Sequence, residues 1–239
     1  MALQPWIIGT VIKIEDETND TKRFWIQVPS LEKFDFLPGQ FVTLDLPIHE
    51  KSNKRWRSYS IASWPDGTNV FELLIVLNPS GTGTPYLFNE IKVGSELTFR
   101  GPQGVFTAPK DLDKELFLIC TGTGIAPFRS MVNFIFQNNV PHKKIHLIFG
   151  TRTKSNLLYF DEMKKLENDF GDFYFHPTLS RDEWEGEKGY VHSIYERLCA
   201  SKPDAQFYLC GWKNMIDEAK SRILQMGYDK KDIHLEIYG

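Results

Sequence analysis

Apolar positions in the first 110 residues come in short bursts, often alternating with polar ones, and rarely keep helical spacing. Six such runs, at 11–14, 24–28, 41–46, 57–61, 70–77 and 96–99, are rich in β-branched and aromatic residues and predict strands. Pro38-Gly39, Pro65-Asp66-Gly67 and Val93-Gly94 punctuate them as turns. A single short helix is predicted over 85–91. Strands without intervening helices imply a closed or nearly closed antiparallel barrel, which removes exposed edges.

Beyond Pro109 the rhythm changes. Short apolar runs at 116–120, 145–149, 173–176, 207–210 and 233–238 alternate with helical-length stretches at 127–137, 160–170, 193–198 and 215–226. That alternation predicts a parallel sheet covered by helices on both faces. The expected division is therefore a β domain over 1–108 and an α/β domain over 109–239, with the break near 106–113 and no long linker.

Composition narrows the class. The 239 residues are 41% hydrophobic and 25% charged, as in a soluble globular protein. A formal net charge of -3 lacks the basic excess of a nucleic-acid binder. No run reaches the roughly 18 apolar residues of a membrane span. The opening residues have no basic leader, and Lys13 and Glu15 interrupt them, so they read as a lead into the first strand. Cys120, Cys199 and Cys210 match no zinc or iron–sulfur spacing, nor do the histidines. A cytoplasmic, reducing compartment is expected.

Two strings carry the chemistry. In Arg57-Ser58-Tyr59-Ser60, the guanidinium is shaped for two diphosphate oxygens, and Tyr59 offers a flat face to a ring system. Ser60 is small enough to let a flavin approach. Strand alternation puts Arg57 and Tyr59 on one face and Ser58 and Ser60 on the other, so one ligand would need a bend at Ser60. The segment 78–87, with Gly81, Gly83 and Thr84, can close around a diphosphate. An alternative reading makes Arg57 a solvated barrel charge, Tyr59 a packing aromatic and the glycines an ordinary hairpin.

The second string, Thr121-Gly122-Thr123-Gly124-Ile125-Ala126-Pro127, follows a buried strand and opens a helix, the arrangement that cradles a nucleotide diphosphate. Pro127 stands near the first helical turn, where its missing donor costs least. The second strand ends Phe149-Gly150-Thr151-Arg152 without the acid that binds the ribose diol of NAD. Arg152, Ser180, Arg181 and Lys188 then suit the 2′-phosphate of NADP, with Tyr190 over the adenine. The competing reading pairs these bases with Asp182, Glu183, Glu185 and Glu187. Cys210-Gly211 closes a strand at the crevice edge, as a nicotinamide contact or a buried structural thiol. Glu236 and Tyr238 in the tail can return to the same crevice, with Tyr238 shielding a flavin until nicotinamide displaces it.

These strings resemble the ferredoxin–NADP reductase superfamily of FAD-containing reductases, from about residue 8 onward. The most specific matches are Arg57-x-Tyr59-Ser60-x-x-Ser63, Gly122-x-Gly124-x-x-Pro127, and Cys210-Gly211 with Met215. Supporting matches are Pro38-Gly39-Gln40-Phe41, Gly101-Pro102-x-Gly104, and Gly150-Thr151-Arg152 with Tyr159. The resemblance implies a six-stranded antiparallel FAD barrel before a five-stranded parallel nucleotide domain, without a fused iron–sulfur domain. It places Tyr59 on the flavin, Ser60 near its N5, Ile75 and Val76 beside it through their backbone, and Arg57, Gly83 and Thr84 at its diphosphate. Ser180, Arg181, Lys188 and Tyr190 resemble the plastid branch's 2′-phosphate pocket, two residues shorter. Leu235-Glu236-Ile237-Tyr238-Gly239 resembles its end, with one extra glycine. The implied reaction passes hydride between NADP(H) and FAD and single electrons to or from ferredoxin or flavodoxin. Two alternatives stay open. One is an NADH-dependent reductase serving an oxygenase through a separate iron–sulfur protein, with NAD(H) in place of NADP(H). The other is a non-catalytic subunit of an electron-transfer complex.

Overall fold

The computed structural model describes residues 4–238, and the chain folds into two compact units. One comprises the described residues up to Ala108 together with Ala126–Asn138; the other comprises Pro109–Ile125 and the described residues from Asn139 on.

The first unit holds β1 (Ile7–Thr18), β2 (Thr21–Gln27), β3 (Phe41–Asp45), β4 (Trp56–Ser60), β5 (Val70–Val76) and β6 (Glu96–Gln103), with the short helix α1 (Gly83–Asn89). Antiparallel pairing orders them β4-β3-β6-β1-β2-β5. Period-two alternation does the sorting. On β6, Leu97 and Phe99 are buried while Glu96 and Thr98 are exposed; on β2, Phe24 and Ile26 point inward. Phe34, Phe71 and Phe99 meet at the core, Phe71 and Phe99 edge-to-face with centroids 5.1 Å apart. The outermost strands, β4 and β5, approach through one isolated bridge, Ile61–Leu73, so the sheet order stays open along that seam. Helix α2 (Ile125–Gln137), which the sequence reading puts with the second half, groups with this unit.

The second unit holds β7 (Glu115–Thr121), β8 (Ile145–Thr151), β9 (Phe173–Leu179), β10 (Glu187–Lys188), β11 (Ala205–Trp212) and β12 (Ile233–Tyr238). Its helices are α3 (Phe160–Asp169), α4 (Val191–Leu198) and α5 (Lys213–Gln225). The sheet is parallel, in the order β10-β9-β8-β7-β11-β12. The sequence reading has five strands here. The sixth, β10, is only two residues long and lies in a loop without the apolar run that marks a strand. Strands β7, β8 and β11 are buried almost continuously, as parallel strands covered on both faces must be, whereas edge strand β12 is half exposed. Ile216, Ala219 and Ile223 form the buried stripe of α5. Among the described residues no helix is long and apolar enough to cross a membrane.

Candidate functional site

Strand β4 presents the first motif. Arg57 and Tyr59 stand opposite the buried Leu44 and Val42, on the core-facing side, while Ser58 and Ser60 oppose Thr43 and Phe41 on the other. The ladder stays regular through Ser60, and the chain next bridges β5 at Ile61. Arg57 Nη1 donates to the carbonyls of Lys54 (3.0 Å) and Trp56 (2.8 Å), and Nη2 to Thr82 Oγ1 (3.3 Å). Gly83, at the start of α1, lies so close that a Cβ there would sit 3.0 Å from Arg57 Nε. No carboxylate is within ion-pair range of Arg57 among the described residues. A half-buried guanidinium without a counter-ion, beside hydroxyls and a glycine, fits an anionic group such as the FAD diphosphate.

Thr84 behaves differently from its neighbour. Its hydroxyl accepts from Asn78 N–H (2.8 Å) and donates to Asn78 C=O (3.3 Å), closing the 78–84 loop on itself. Thr82 is the hydroxyl on Arg57, and Gly-Thr-Gly-Thr offers no local signal to tell the two apart. Tyr59 packs against the core, and burial pushes its phenol up to about 12 against the opposing charge of Arg57. It therefore stays neutral and able to donate at ordinary pH. Ile75 is buried and Val76 exposed at the end of β5.

A buried ion cluster backs this strand junction. Glu72, 2% exposed, accepts from Arg23 Nε (2.7 Å) and Nη2 (3.1 Å) and from Arg129 Nη1 (3.0 Å). Arg129 also donates to the carbonyl of Ala62 (2.9 Å), and Glu72 N–H donates to Ser63 Oγ (2.9 Å). The second serine of the motif is thus a structural acceptor. The cluster had a legible signal: a lone glutamate in the apolar run Val70–Val76 and a lone arginine in the apolar helix α2 require each other.

In the second unit the chain passes from β7 through β8 to β9, then crosses back to place β11 on the other side of β7. That reversal opens a crevice beyond the carboxyl ends of β7 and β11, where nucleotides bind in open α/β sheets. Thr121 ends β7, and Gly122–Gly124 forms a 3-10 turn leading into α2. Gly122 has φ +54 with nothing within 4 Å of a built Cβ, so its face is open. Gly124 is pressed against the end of β11: a Cβ would meet Cys210 O at 2.5 Å. Trp212 N–H donates to Thr121 Oγ1 (3.4 Å), holding the two strand ends together. An open glycine face beside hydroxyls fits a diphosphate approaching along the backbone. Thr123 lies within the turn, and Pro127 falls in the first turn of α2. Met215, on α5, is half-buried against the hydrophobic core of this unit.

Cys210 is fully buried in β11, opposite Glu236 on β12, and Trp212 opposes Tyr238. Burial pushes the Cys210 thiol well up; the charges of Glu236 and Cys120 add to this, and a Tyr238 hydrogen bond pulls back. It stays a thiol rather than a nucleophilic thiolate. The structure therefore brings Cys210, Glu236 and Tyr238 together. Gly239, the extra terminal glycine, lies outside the described residues.

At the tips of β8 and β9, Arg181 N–H donates to Arg152 C=O (2.9 Å) and Ser180 N–H to Thr151 C=O (3.0 Å), making the two arginines neighbours. Both are exposed, and neither has a carboxylate in ion-pair range among the described residues. Lys188 differs: it is paired with Glu183. Tyr190 is 73% exposed, leaving its ring face available.

Residues 9–107 match the oxidoreductase FAD-binding domain and residues 118–221 the oxidoreductase NAD-binding domain. Ferredoxin–NADP reductase B of Sorangium cellulosum is 31% identical, covering 86% of each chain. The anthranilate 1,2-dioxygenase electron transfer component of Acinetobacter baylyi is 31% identical over 80% of this chain and 54% of its own. The structure of the Amycolatopsis cytochrome P450 reductase GcoB superimposes with a TM-score of 0.88 at 24% identity, over 99% of this chain and 71% of that one. The chain spans between half and two thirds of several curated relatives it matches, among them dioxygenase and quinone-reductase components. Two domain matches in tandem, and a relative similar over most of both lengths, bear out the resemblance read from the motifs: the chain belongs to the ferredoxin–NADP reductase superfamily of FAD- and nicotinamide-dependent oxidoreductases.

Proposed function

We propose that the protein is an NADP(H)-dependent, FAD-containing reductase exchanging electrons with a separate one-electron carrier, ferredoxin or flavodoxin. The observation that carries this reading is a set of three guanidiniums, Arg57, Arg152 and Arg181, left without carboxylate partners among the described residues, beside glycines and hydroxyls. Cations without a counter-charge are poised for anions, and their placement, one in the first unit and two in the second, suits two phosphate-bearing coenzymes. Bound FAD supplies the interconversion of two-electron nicotinamide chemistry and one-electron transfer, which no side chain performs.

The chain's own residues bind and orient. Arg57, with Gly83, Thr84 and the neighbouring Thr82, holds the FAD diphosphate. Neutral Tyr59 supplies a ring face and a hydroxyl donor. Ser60 and the backbone of Ile75 and Val76 border the flavin ring. From the end of β7, Thr121, Gly122, Thr123 and Gly124, with Pro127 in the first turn of α2, shape the turn for the nucleotide diphosphate. Arg152, Ser180 and Arg181 hold the 2′-phosphate, with Lys188 at its margin and Tyr190 over the adenine. Cys210, Gly211 and Met215 form the floor under the nicotinamide, kept uncharged there by the buried thiol, and Glu236 and Tyr238 order that edge.

The test starts with colour. Purified protein is expected to be yellow and to release FAD, and anaerobic mixing should bleach it with NADPH at lower concentration than with NADH. Colourless protein that takes up no flavin would overturn the enzyme reading. A second reading, an electron-transfer component serving an oxygenase through an iron–sulfur protein, draws support from the similarity to the anthranilate dioxygenase component. Preference for NADH, with reduction of an oxygenase iron–sulfur protein and not of ferredoxin or flavodoxin, would favour it.

A further inference from the structure

The loop between β9 and β10 is short and dense in charge, yet Arg181 within it and Arg152, just past β8, are the charges left over. Asp182 accepts from Lys154 N–H (2.8 Å), Glu185 pairs with Lys154 Nζ (3.2 Å), Glu183 pairs with Lys188, and Glu187 pairs with Arg197. All four carboxylates are thus engaged away from Arg152 and Arg181. An unconstrained loop of this composition would let Glu183 or Glu185 swing onto the exposed guanidiniums next to them. What holds the loop is Trp184. Its Nε1–H donates to Glu187 C=O (2.7 Å), and its ring lies edge-to-face on Phe160 of α3, centroids 6.4 Å apart. Gly186 sits flat against the indole, where a Cβ would fall 2.4 Å from Cζ2. The base is closed by Gly189 N–H to Leu179 C=O (2.8 Å) and by Thr178 Oγ1 to Gly189 C=O (3.1 Å).

We infer that Trp184 is a positioning residue for phosphate recognition: its indole fixes the 182–187 turn so that Lys154, Lys188 and Arg197 occupy the loop carboxylates, leaving Arg152 and Arg181 free to receive a phosphate dianion on the nucleotide ribose. This rests on the reading of Arg152 and Arg181 as the 2′-phosphate site. Lys188 then acts on the phosphate indirectly, by occupying Glu183. The packing is selective because only an aromatic ring with an N–H donor both covers Gly186 and closes the turn to residue 187.

The experiment is calorimetric titration of the full chain with 2′,5′-ADP and with 5′-AMP, which differ only in that phosphate, so no turnover is needed. Arg181→Ala should weaken 2′,5′-ADP about tenfold or more, the scale of one charge-assisted bond, with 5′-AMP unchanged. Trp184→Ala should weaken 2′,5′-ADP roughly fivefold, as the loop carboxylates reach the arginines, again sparing 5′-AMP. In the Arg152→Ala/Arg181→Ala double background, Trp184→Ala should add at most about twofold, because it acts through those cations. Trp184→Phe, which keeps the ring, should recover part of the loss. Should Trp184→Ala fold poorly, Gly186→Ala forces the indole aside and is expected to reproduce the selective loss. Equal weakening of both ligands in the Trp184 and Gly186 variants, no weakening of either, or full additivity would overturn the inference with the phosphate site intact. Unchanged 2′,5′-ADP affinity in Arg181→Ala and Arg152→Ala would overturn the phosphate reading itself, and the inference with it.

Discussion

Three alanine substitutions at the β7–β11 crevice separate backbone freedom from space, because each glycine there is required for a different reason. Gly122 has φ +54 and an empty surround, so Gly122→Ala costs only the left-handed conformation, about 1 kcal/mol. Gly124 carries no conformational demand, yet its Cβ would lie 2.5, 2.8 and 3.0 Å from the O and C of Cys210 and the N of Gly211. Those are backbone atoms of a strand paired on both sides, with β7 and β12, so relief requires the turn itself to move. Overpacking of that kind costs about 1–3 kcal/mol. Gly211 combines both problems, with φ +133 and a Cβ 2.5 Å from Thr121 Oγ1, and its variant should be the least stable. Urea unfolding followed by tryptophan emission should rank the losses Gly122→Ala, Gly124→Ala, Gly211→Ala from smallest to largest. In calorimetry Gly124→Ala should also lose roughly tenfold in affinity for 5′-AMP and 2′,5′-ADP alike, since about 1.4 kcal/mol is a factor of ten. FAD content should hold, because Arg57 and Tyr59 lie in the other unit. If Gly124→Ala were as mild as Gly122→Ala in both measurements, the packing argument would fail.

Other expectations concern charge. Glu72→Gln leaves Arg23 and Arg129 facing a neutral amide in a nearly dry site and should destabilise the first unit by about 3–5 kcal/mol in urea; a loss under about 1 kcal/mol would show that the cluster is not what holds α2 there. Arg57→Ala should release FAD on gel filtration while 5′-AMP binding persists; retained FAD would remove Arg57 from the diphosphate site. His146 and His176, stacked with their ring nitrogens 3.2 Å apart, are each held down to about 4 from 6.5, first by burial and then by neighbouring positive charge. Their folded forms stay neutral where the unfolded chain takes up protons, so their contribution to stability is complete above about 6.5 and lost as pH falls towards 4. His176→Gln should flatten the acid side of a stability–pH curve, and an unchanged slope over that interval would contradict the assignment.

Much of the architecture could be read from periodicity alone. Alternation in β2 and β6, and continuous apolar runs in β7, β8 and β11, are local consequences of how many faces a strand buries, so their types were legible residue by residue. The two motif strings were legible for the same reason, since a glycine turn between a buried strand and a helix demands particular residues wherever it occurs. Other features depended on partners far away in the chain. Thr82 hydrogen-bonds Arg57 while Thr84 hydrogen-bonds Asn78, because the start of α1, at Gly83, lies against the Arg57 side chain. Arg129 and Glu72, 57 residues apart, become one ion pair only when α2 lies on β5. Lys188 reads in sequence either as a phosphate ligand or as a partner of a nearby acid, and folding sets Glu183 against it. A charged side chain's role is set by which opposite charge comes within a few ångströms, and that distance belongs to the tertiary structure, whereas the tendency to form a strand or a turn is written in each short stretch of chain.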